Sequence, residues 1–264
     1  MAHVFSLLCF VYFFITAAIM FIVLLFMSPI VNLFDQKKRL LHFLTTRWGF
    51  HFVRLNPLWN CRFEGMDHLR TGHSYVIVAN HQSLADIFVL SGLKHHFRWV
   101  TKESLMRIPF FGWIMKINGD VSIKRGDRQS IKEMMADCKQ YLDQNVSILM
   151  FPEGTRSEDG HMQKFRDGSF RLSVDCGVPI VPIVITGTRD VIAKNSHLFN
   201  FRARMTVKIL PPVEPASFQG NPGRMRQFVQ DLMTKTLAQM EQETTISEAV
   251  LCCSVVNNRE ELRI

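Results

Sequence analysis

The segment YVIVANHQSLADIF, residues 75–88, joins an apolar run to a polar cluster and then to a helix-forming pattern. The run 75–79 is typical of a strand that is buried on both faces of a sheet. His81 follows almost at once, and Asp86 comes five positions later. If the chain turns sharply at His81 and enters a helix, Asp86 can fold back to the imidazole, fix its tautomer and stabilise the imidazolium. A histidine that caps the helix, with an aspartate on its solvated face, is the common alternative for this pattern alone.

Apolar strand patterns alternate with amphipathic helix patterns along most of the chain. The predicted strands are residues 74–80, 98–102, 120–125, 146–154, 178–187 and 205–210, and the predicted helices begin near residues 83, 103 and 128. This alternation predicts an α/β domain with a mixed, largely parallel sheet flanked by helices. Because the strands are continuously apolar, helices should cover both faces of the sheet.

The first 55 residues predict a separate region of N-terminal membrane-associated helices. Residues 4–27 form an almost wholly apolar run of 24 residues, against the ~20 that a helix needs to cross a hydrocarbon core. A signal peptide is the rival interpretation, but a basic n-region and a convincing cleavage site are missing. The basic residues 37–39 favour a cytoplasmic location for the remainder. Residues 37–55 fit either a helix in the membrane interface or an amphipathic helix packed on the core.

The segment NPLWN, residues 56–60, predicts the boundary between these helices and an α/β domain over residues 56–240. Residues 241–264 read as a polar C-terminal tail without an assigned role. The formal net charge of +8 indicates anionic partners, which can be lipid headgroups, phosphorylated substrates or nucleic acid. The apolar N-terminus and the lack of a nucleic-acid-binding module argue against nucleic acid. The six scattered cysteines predict reduced thiols, and no histidine cluster has zinc-ligand spacing, so no metal site is expected.

A second apolar run ends in the polar segment FPEGTRS, residues 151–157. Because ligands gather at the carboxyl ends of strands in α/β sheets, this segment and the one at His81 predict a single site. Gly154 permits a tight turn beside a ligand, Glu153 can accept hydrogen bonds from a polyol, and Arg156 can grip a phosphate. A surface turn with a Glu–Arg pair is the alternative for this segment alone.

Basic side chains end two further predicted strands. Lys102 closes the strand 98–102 and Arg125 closes the strand 120–125, so either can reach inward to a phosphate. No G-x-S-x-G elbow and no cysteine with a site signature accompanies His81. A general base without its own nucleophile indicates that a substrate hydroxyl attacks directly, without a covalent enzyme intermediate.

Four blocks of the sequence together resemble the motifs of the glycerolipid acyltransferases. NHQSLAD (80–86) looks like their NH-x₄-D box, FPEGTRS (151–157) matches their glycerol-phosphate box, and VPIVPIVI (178–185) resembles their fourth motif. GDVSIKR (119–125) resembles the second motif less well, because Lys124 occupies a place where the family often has aspartate. The blocks occur in the order and roughly the spacing of that family. The complete PEGTRS together with VPIVPI is most similar to the lysophosphatidate acyltransferases (1-acylglycerol-3-phosphate O-acyltransferases) of bacterial or plastid type.

The resemblance implies transfer of a fatty acyl group from acyl-CoA or acyl-carrier protein to the sn-2 hydroxyl of 1-acylglycerol 3-phosphate, which gives phosphatidic acid. It implies that His81 is the general base, that Asp86 orients it, and that no cofactor is needed besides the acyl donor. The other implied site residues are Glu153, Gly154 and Thr155 along the acceptor, and Arg156, Lys102 and Arg125 on its phosphate. The enzyme would be bound to a membrane, the inner membrane in a bacterium, with its active site facing the cytoplasm.

Two alternatives stay open at this point. Within the same class, the acceptor can be another lysophospholipid or glycerol 3-phosphate, because the motifs encode neither the acyl-chain channel nor the selectivity of the phosphate grip. In a different class, the chain can be a non-catalytic lipid-binding membrane protein. Every expected catalytic position is occupied, which argues against the second alternative.

Overall fold

The computed structural model describes residues 2–193 and 196–261, which form seven α-helices, seven β-strands and four short 3₁₀ helices. The helices are α1 Ala2–Phe34, α2 Arg39–Leu55, α3 Ala85–Leu90, α4 Phe111–Asn118, α5 Arg128–Asp143, α6 Gly168–Cys176 and α7 Pro222–Glu261. The strands are β1 Trp59–Glu64, β2 Val76–Ala79, β3 Phe97–Lys102, β4 Val121–Ile123, β5 Ser147–Met150, β6 Ile180–Thr186 and β7 Ala203–Ile209. The 3₁₀ helices are Met66–His68, Glu103–Arg107, Thr188–Asp190 and Pro215–Phe218.

The strands form one sheet in the order β1-β7-β6-β2-β5-β3-β4. Strands β6, β2, β5, β3 and β4 are parallel, β7 is antiparallel to β6, and the edge strand β1 is parallel to β7. The sheet is therefore mixed and largely parallel, which confirms the predicted α/β class. Because five neighbouring strands point the same way, their carboxyl ends meet at one edge of the sheet.

Helices cover both faces of the sheet, as the continuous apolar strands predict. Along β2, Ile77 and Ala79 face a core shared with α2 and α3, whereas Val76 and Val78 face a core shared with α5, α6 and α7. All four side chains are completely buried. Burial of a Val or Ile side chain stabilises a fold by about 1.5–3 kcal/mol relative to its exposure. The strand that leads to His81 is therefore held firmly on both sides.

Two regions differ from the sequence-based expectations. Strand β1 begins inside the segment 56–60, which was predicted to be a break. It is an edge strand whose half-buried and exposed side chains largely alternate, so it lacks the continuous apolar run of β2. The expected helix over residues 103–117 is interrupted at Pro109, which lies between the 3₁₀ helix Glu103–Arg107 and α4.

The C-terminal region contains a long helix that was not among the predicted helices. Helix α7 continues past residue 241, the expected start of a polar tail, and residues 262–264 lie outside the described residues. Apolar side chains three or four residues apart anchor the first half of α7 on the sheet: Met225, Val229, Met233, Leu237 and Met240.

Helix α1 lies along the domain. Ala17, Leu24 and Val31 recur every seven residues on one face and are buried against a cluster that includes Leu41 of α2 and Ile114 of α4. Among the described residues, α1 is the one helix that is long and apolar enough to cross a membrane. Its other side presents exposed apolar side chains: Leu7, Leu8, Ile15, Ile19, Ile22, Phe26, Ile30 and Leu33.

Helix α2 packs on the domain, which is one of the two arrangements expected for residues 37–55. Gly49 permits a close approach to the residue after α3, because a Cβ atom at this position would lie 2.7 Å from Ser91 Oγ. Val53 is buried in the same core as β2. Leu40 and Phe43 remain exposed and add apolar surface beside α1.

Candidate active site

The polar segments that follow β2 and β5 lie side by side at the carboxyl edge of the sheet. The two strands are parallel neighbours, with Val78 opposite Met150. The His81 backbone N–H donates to Glu153 Oε1 at 2.7 Å, and the Ser157 N–H donates to the His81 carbonyl oxygen at 2.8 Å. The structure thus brings both predicted segments into one site.

His81 and Asp86 form a hydrogen-bonded dyad. Nδ1 of His81 lies 2.7 Å from Asp86 Oδ2, and the same oxygen accepts the backbone N–H groups of Gln82 at 2.7 Å and Ser83 at 2.9 Å. The Asp86 side chain has no exposed surface, so the solvated aspartate of the alternative interpretation is not present in this fold. With Nδ1–H donating to the carboxylate, Nε2 carries the lone pair that can take a proton.

The imidazole of His81 is stacked on an aromatic ring. Its centroid lies 3.9 Å from that of Phe151, with the two planes at 12°, and Phe151 stacks in turn on Trp99 of β3. Only 13% of the His81 side chain is exposed. Phe151 belongs to the FPEGTRS segment, but the sequence did not assign it a role, since the contact depends on the orientation of two rings.

Glu153 is buried beneath the site. It is 4% exposed, and its second carboxylate oxygen, Oε2, accepts the backbone N–H of Gln163 at 2.8 Å. Burial raises the pKa of Glu153 to about 7, although the two backbone donors oppose this shift. The side chain therefore ties the residue after β2 to the loop after β5. Its expected contact with the acceptor stays a prediction.

A pair of arginines lies beside the turn at Gly154. Gly154 adopts φ +71°, and a Cβ atom there would lie 2.7 Å from Arg166 Nε, so glycine lets the Arg166 side chain cross the turn. Desolvation, and then the positive charge of Arg166, lower the pKa of Arg125. An anion bound between two guanidinium groups would relieve their mutual repulsion. Arg166 was not predicted as a site residue, because it lies outside the four motif blocks.

The other predicted binding residues lie at the same edge of the sheet. Lys102 is the exposed last residue of β3, and the pairing of Trp99 with Leu149 places it beside the start of the loop after β5. Thr155 is exposed in that loop and Arg156 is half-buried in it. The polar edge therefore extends from β2 across β5 to β3 and β4.

A further contact missed from the sequence fixes β2 to β6. The Asn80 side chain donates to the Ile185 carbonyl at 3.0 Å and accepts the Ile185 N–H at 2.7 Å. Two residues after His81, the Ser83 hydroxyl donates to the Ile192 carbonyl at 2.6 Å. Both side chains are buried, so they hold the histidine segment rather than face a ligand.

Two cavities adjoin the histidine segment. One, of about 460 Å³, is almost wholly apolar and lies between α1, α2 and α3, with Phe10, Phe52, Leu84, Phe88 and Ile192 among its lining residues. The other, of about 740 Å³, is polar and lies where β6 ends and β7 begins, with Gln82 on its wall. Gln82 and Leu84, on either side of Ser83, thus face different cavities.

Comparisons with known proteins agree with this geometry. The family model described as Acyltransferase matches residues 60–186, a range that contains His81, Asp86 and the loop after β5. The 1-acyl-sn-glycerol-3-phosphate acyltransferase of Escherichia coli strain K12 is 30% identical over 208 residues, which are 76% of this chain and 83% of that protein.

A plastid relative and a solved structure are also similar. The chloroplast 1-acyl-sn-glycerol-3-phosphate acyltransferase of Arabidopsis thaliana is 32% identical over 201 residues, 75% of this chain but 56% of that protein, so the chain spans just over half of its length. The crystal structure of the 1-acyl-sn-glycerophosphate acyltransferase from Thermotoga maritima matches with a TM-score of 0.75 at 27% identity, over 91% of this chain and 98% of that one. This chain belongs to the acyltransferase family, and these relatives are 1-acyl-sn-glycerol-3-phosphate acyltransferases by name.

Proposed function

We propose that the protein transfers a fatty acyl group from a thioester donor, acyl-CoA or acyl-carrier protein, to the sn-2 hydroxyl of 1-acylglycerol 3-phosphate, giving phosphatidic acid. The observation that carries this proposal is the His81–Asp86 dyad, in which Nδ1 is bonded to the carboxylate and Nε2 is left to act as a base. The relatives' names supply the substrate class.

In the proposed reaction, His81 Nε2 takes the proton of the acceptor hydroxyl while the hydroxyl oxygen attacks the thioester carbonyl carbon. Asp86 stabilises the imidazolium that forms. The C–S bond then breaks, and the leaving thiolate takes the proton back from His81. The ester is the other product, and the histidine returns to its neutral form without a cofactor beyond the donor.

Direct transfer is supported by the state of Ser83 and of two cysteine thiols. The Ser83 hydroxyl is fully buried and donates to the Ile192 carbonyl, so it is not directed at Nε2. Burial raises the pKa of the Cys61 thiol to about 12 and also raises that of Cys138, which keeps both thiols protonated and weakly nucleophilic. Cys252 and Cys253 lie outside the residues whose side chains are described.

The acceptor phosphate is assigned to the basic edge at β5, β3 and β4. Arg125 and Arg166 approach each other there, and Lys102 and Arg156 lie on the adjoining strand end and loop. A guanidinium can bind a phosphate through two parallel hydrogen bonds. Arg156 is assigned to the phosphate because FPEGTRS resembles the family motif. Arg166 is assigned to it because the fold places this side chain at Gly154.

A membrane location follows from the outer surface of α1. Its row of exposed apolar side chains is suited to lipid, and the apolar cavity lined by Phe10 and Phe88 lies directly beneath it. An acyl chain can therefore pass from the bilayer to the histidine segment without crossing water. We assign the catalytic face to the cytoplasmic side, in line with the basic residues 37–39.

The test is an acceptor panel with the purified protein in detergent. We expect turnover with 1-acylglycerol 3-phosphate and much less with glycerol 3-phosphate or other lysophospholipids, using acyl-CoA and acyl-carrier protein as separate donors. His81→Ala should abolish transfer while the protein stays folded and membrane-bound. Arg166→Ala and Arg156→Ala should raise the acceptor KM about tenfold each. Lack of turnover with 1-acylglycerol 3-phosphate from either donor would reject the proposal.

A further inference from the structure

The polar cavity of about 740 Å³ is built from parts of the fold that the proposed acceptor site does not use. Its walls include Gln82 after β2, Arg189 after β6, and Arg202 and Arg204 at the start of β7. Glu241 and Thr244 of helix α7 close another side. Of these residues, only Gln82 lies in one of the motif blocks found in the sequence.

The strand order places this cavity across His81 from the acceptor phosphate. In the sheet, β5, β3 and β4 lie on one side of β2, and β6, β7 and β1 lie on the other. The arginines Arg125 and Arg166 belong to the first side, whereas Arg189, Arg202 and Arg204 belong to the second. A base that joins two substrates needs one on each side of it, so the second arginine group is positioned for the second substrate.

We propose that this cavity binds the phosphorylated nucleotide of a coenzyme A thioester, the leaving group of the acyl donor. This assignment rests on the proposed function and names the subsite for its donor. Gln82 on the polar cavity and Leu84 on the apolar cavity are two residues apart. A thioester at His81 can therefore extend its acyl chain into the apolar cavity and its nucleotide into the polar one.

The chemistry of the wall fits a nucleotide better than a simple anion. Three guanidinium groups, of Arg189, Arg202 and Arg204, can contact phosphates, whereas the carboxylates of Asp159, Asp190 and Glu241 balance them in formal charge. A purely anionic ligand gains little from such a wall. Adenosine phosphates carry both anionic groups and amino and hydroxyl donors, which the carboxylates and threonines can accept.

The Arg189 side chain is held in place by the loop after β5. Nη1 of Arg189 donates to the Asp159 carbonyl oxygen at 2.5 Å. The Asp159 carboxylate accepts the Ser157 hydroxyl and the His161 N–H within its own loop, so that loop is tied together beside the cavity. Ser157 also bonds to the His81 carbonyl, which connects the cavity wall to the catalytic segment.

The experiment compares donors that differ only in the nucleotide. KM is measured for palmitoyl-CoA, palmitoyl-4′-phosphopantetheine and palmitoyl-pantetheine with the wild type, Arg202→Ala and Arg189→Ala. Arg62→Ala is the matched control, because Arg62 is an exposed arginine on β1 that pairs with Glu64 and does not line the cavity. Binding of coenzyme A itself is measured by calorimetry on the same proteins.

We expect each cavity variant to raise the KM for palmitoyl-CoA about tenfold and to leave the KM for palmitoyl-pantetheine and for the acceptor within twofold. The coenzyme A Kd should rise by the same factor, and Arg62→Ala should change neither. An equal rise for all three donors, a rise in acceptor KM, or an unchanged palmitoyl-CoA KM would overturn the assignment. Equal wild-type KM values for palmitoyl-4′-phosphopantetheine and palmitoyl-CoA would also overturn the assignment.

The calorimetry separates this proposal from the proposed function. If the protein transfers acyl groups to a different acceptor, coenzyme A binding and its dependence on Arg202 still hold. If 1-acylglycerol 3-phosphate is acylated but coenzyme A binds equally well to wild type and Arg202→Ala, the function stands and the subsite is wrong. Arg202→Lys should recover part of the affinity, which a misfolded variant would not do.

Discussion

The ring of His81 lies flat on the ring of Phe151, with centroids 3.9 Å apart and planes 12° from parallel. Two constraints therefore fix the imidazole: the hydrogen bond from Nδ1 to Asp86 sets its rotation in the plane, and Phe151 restrains its tilt. A base that is held in this way loses little entropy when the reaction begins.

Replacing the stacked ring should slow the chemical step. We expect Phe151→Leu to lower kcat about tenfold, since a stacked aromatic pair contributes about 0.5–1.5 kcal/mol, and to leave both KM values unchanged. Phe151→Tyr keeps the ring and should keep most of the activity. Phe228→Leu, an exposed position on α7, is the control. Equal kcat values for Phe151→Leu and the wild type would contradict a positioning role.

Removing the charge of Asp86 should cost far more. Asp86→Asn keeps the shape of the side chain but does not stabilise the imidazolium or enforce the tautomer, so we expect kcat to fall roughly 10³–10⁴-fold. Asp86→Ala should also lower the unfolding temperature, because it leaves the N–H groups of Gln82 and Ser83 without an acceptor. Steady-state kinetics and thermal unfolding measure the two effects separately. Activity of Asp86→Asn within tenfold of wild type would contradict the assignment.

Asp86 was predicted from the sequence as the partner of His81, whereas the stacking of Phe151 on His81 was not predicted. The His81–Asp86 pair was predictable only together with FPEGTRS, because two apolar strands that end in polar segments indicate one site, which the five-residue spacing alone does not. The strands β2, β5 and β6 were predictable, since their apolar runs are continuous. Edge strand β1 was not, because its half-buried and exposed side chains largely alternate.

The missed site residues depend on contacts between distant segments. Arg166 reaches Gly154 only because the intervening loop folds back, and that loop has no regular pattern in the sequence. The two backbone N–H groups that donate to Glu153, those of His81 and Gln163, were likewise not predictable, because they come from separate loops. A residue type indicates which chemistry is possible, but the direction of the side chain is set by the tertiary fold.

The buried Glu153 should make stability fall as pH rises. Its pKa lies near 7 in the fold, above the ordinary value of 4.5, so the folded state holds a proton that the unfolded chain has lost. This contribution is complete below about pH 4.5 and is lost as pH rises through 7, and it amounts to on the order of 3 kcal/mol. In denaturant unfolding from pH 4.5 to 8, the free energy of unfolding should fall with rising pH in the wild type and should fall less in Glu153→Gln. The same dependence of unfolding free energy on pH in both proteins would contradict this role of Glu153.

The two histidines His42 and His96, which are in ring contact, should make stability fall as pH falls. Burial and the charge of the fully buried Arg98 lower the pKa of His96 to about 3, and burial and His96 lower that of His42. Because the unfolded chain binds these protons first, stability is lost as pH falls from about 6.5 toward 3.

His96→Phe should therefore reduce the loss of stability in acid. Neither ring nitrogen of His96 has a hydrogen-bond partner among the described residues, so the replacement should cost little at pH 8. Unfolding temperatures at pH 8 and pH 4.5 give the comparison, and His73→Phe, at an exposed histidine before β2, is the control. The same acid-induced decrease in His96→Phe and wild type would rule out this origin.

Helix α1 should enter the bilayer from one side and not cross it. Phe5 stacks on Phe201 at 4.4 Å near its start, and Val31 packs with Leu41 near its end, so both ends are held on the same domain. A crossing would break these contacts and expose their apolar surface. In proteoliposomes, a protease site added before residue 1 should be cut whenever the domain itself is accessible to the protease. Protection of that site until detergent is added, with the domain already cleaved, would show instead that α1 crosses the membrane.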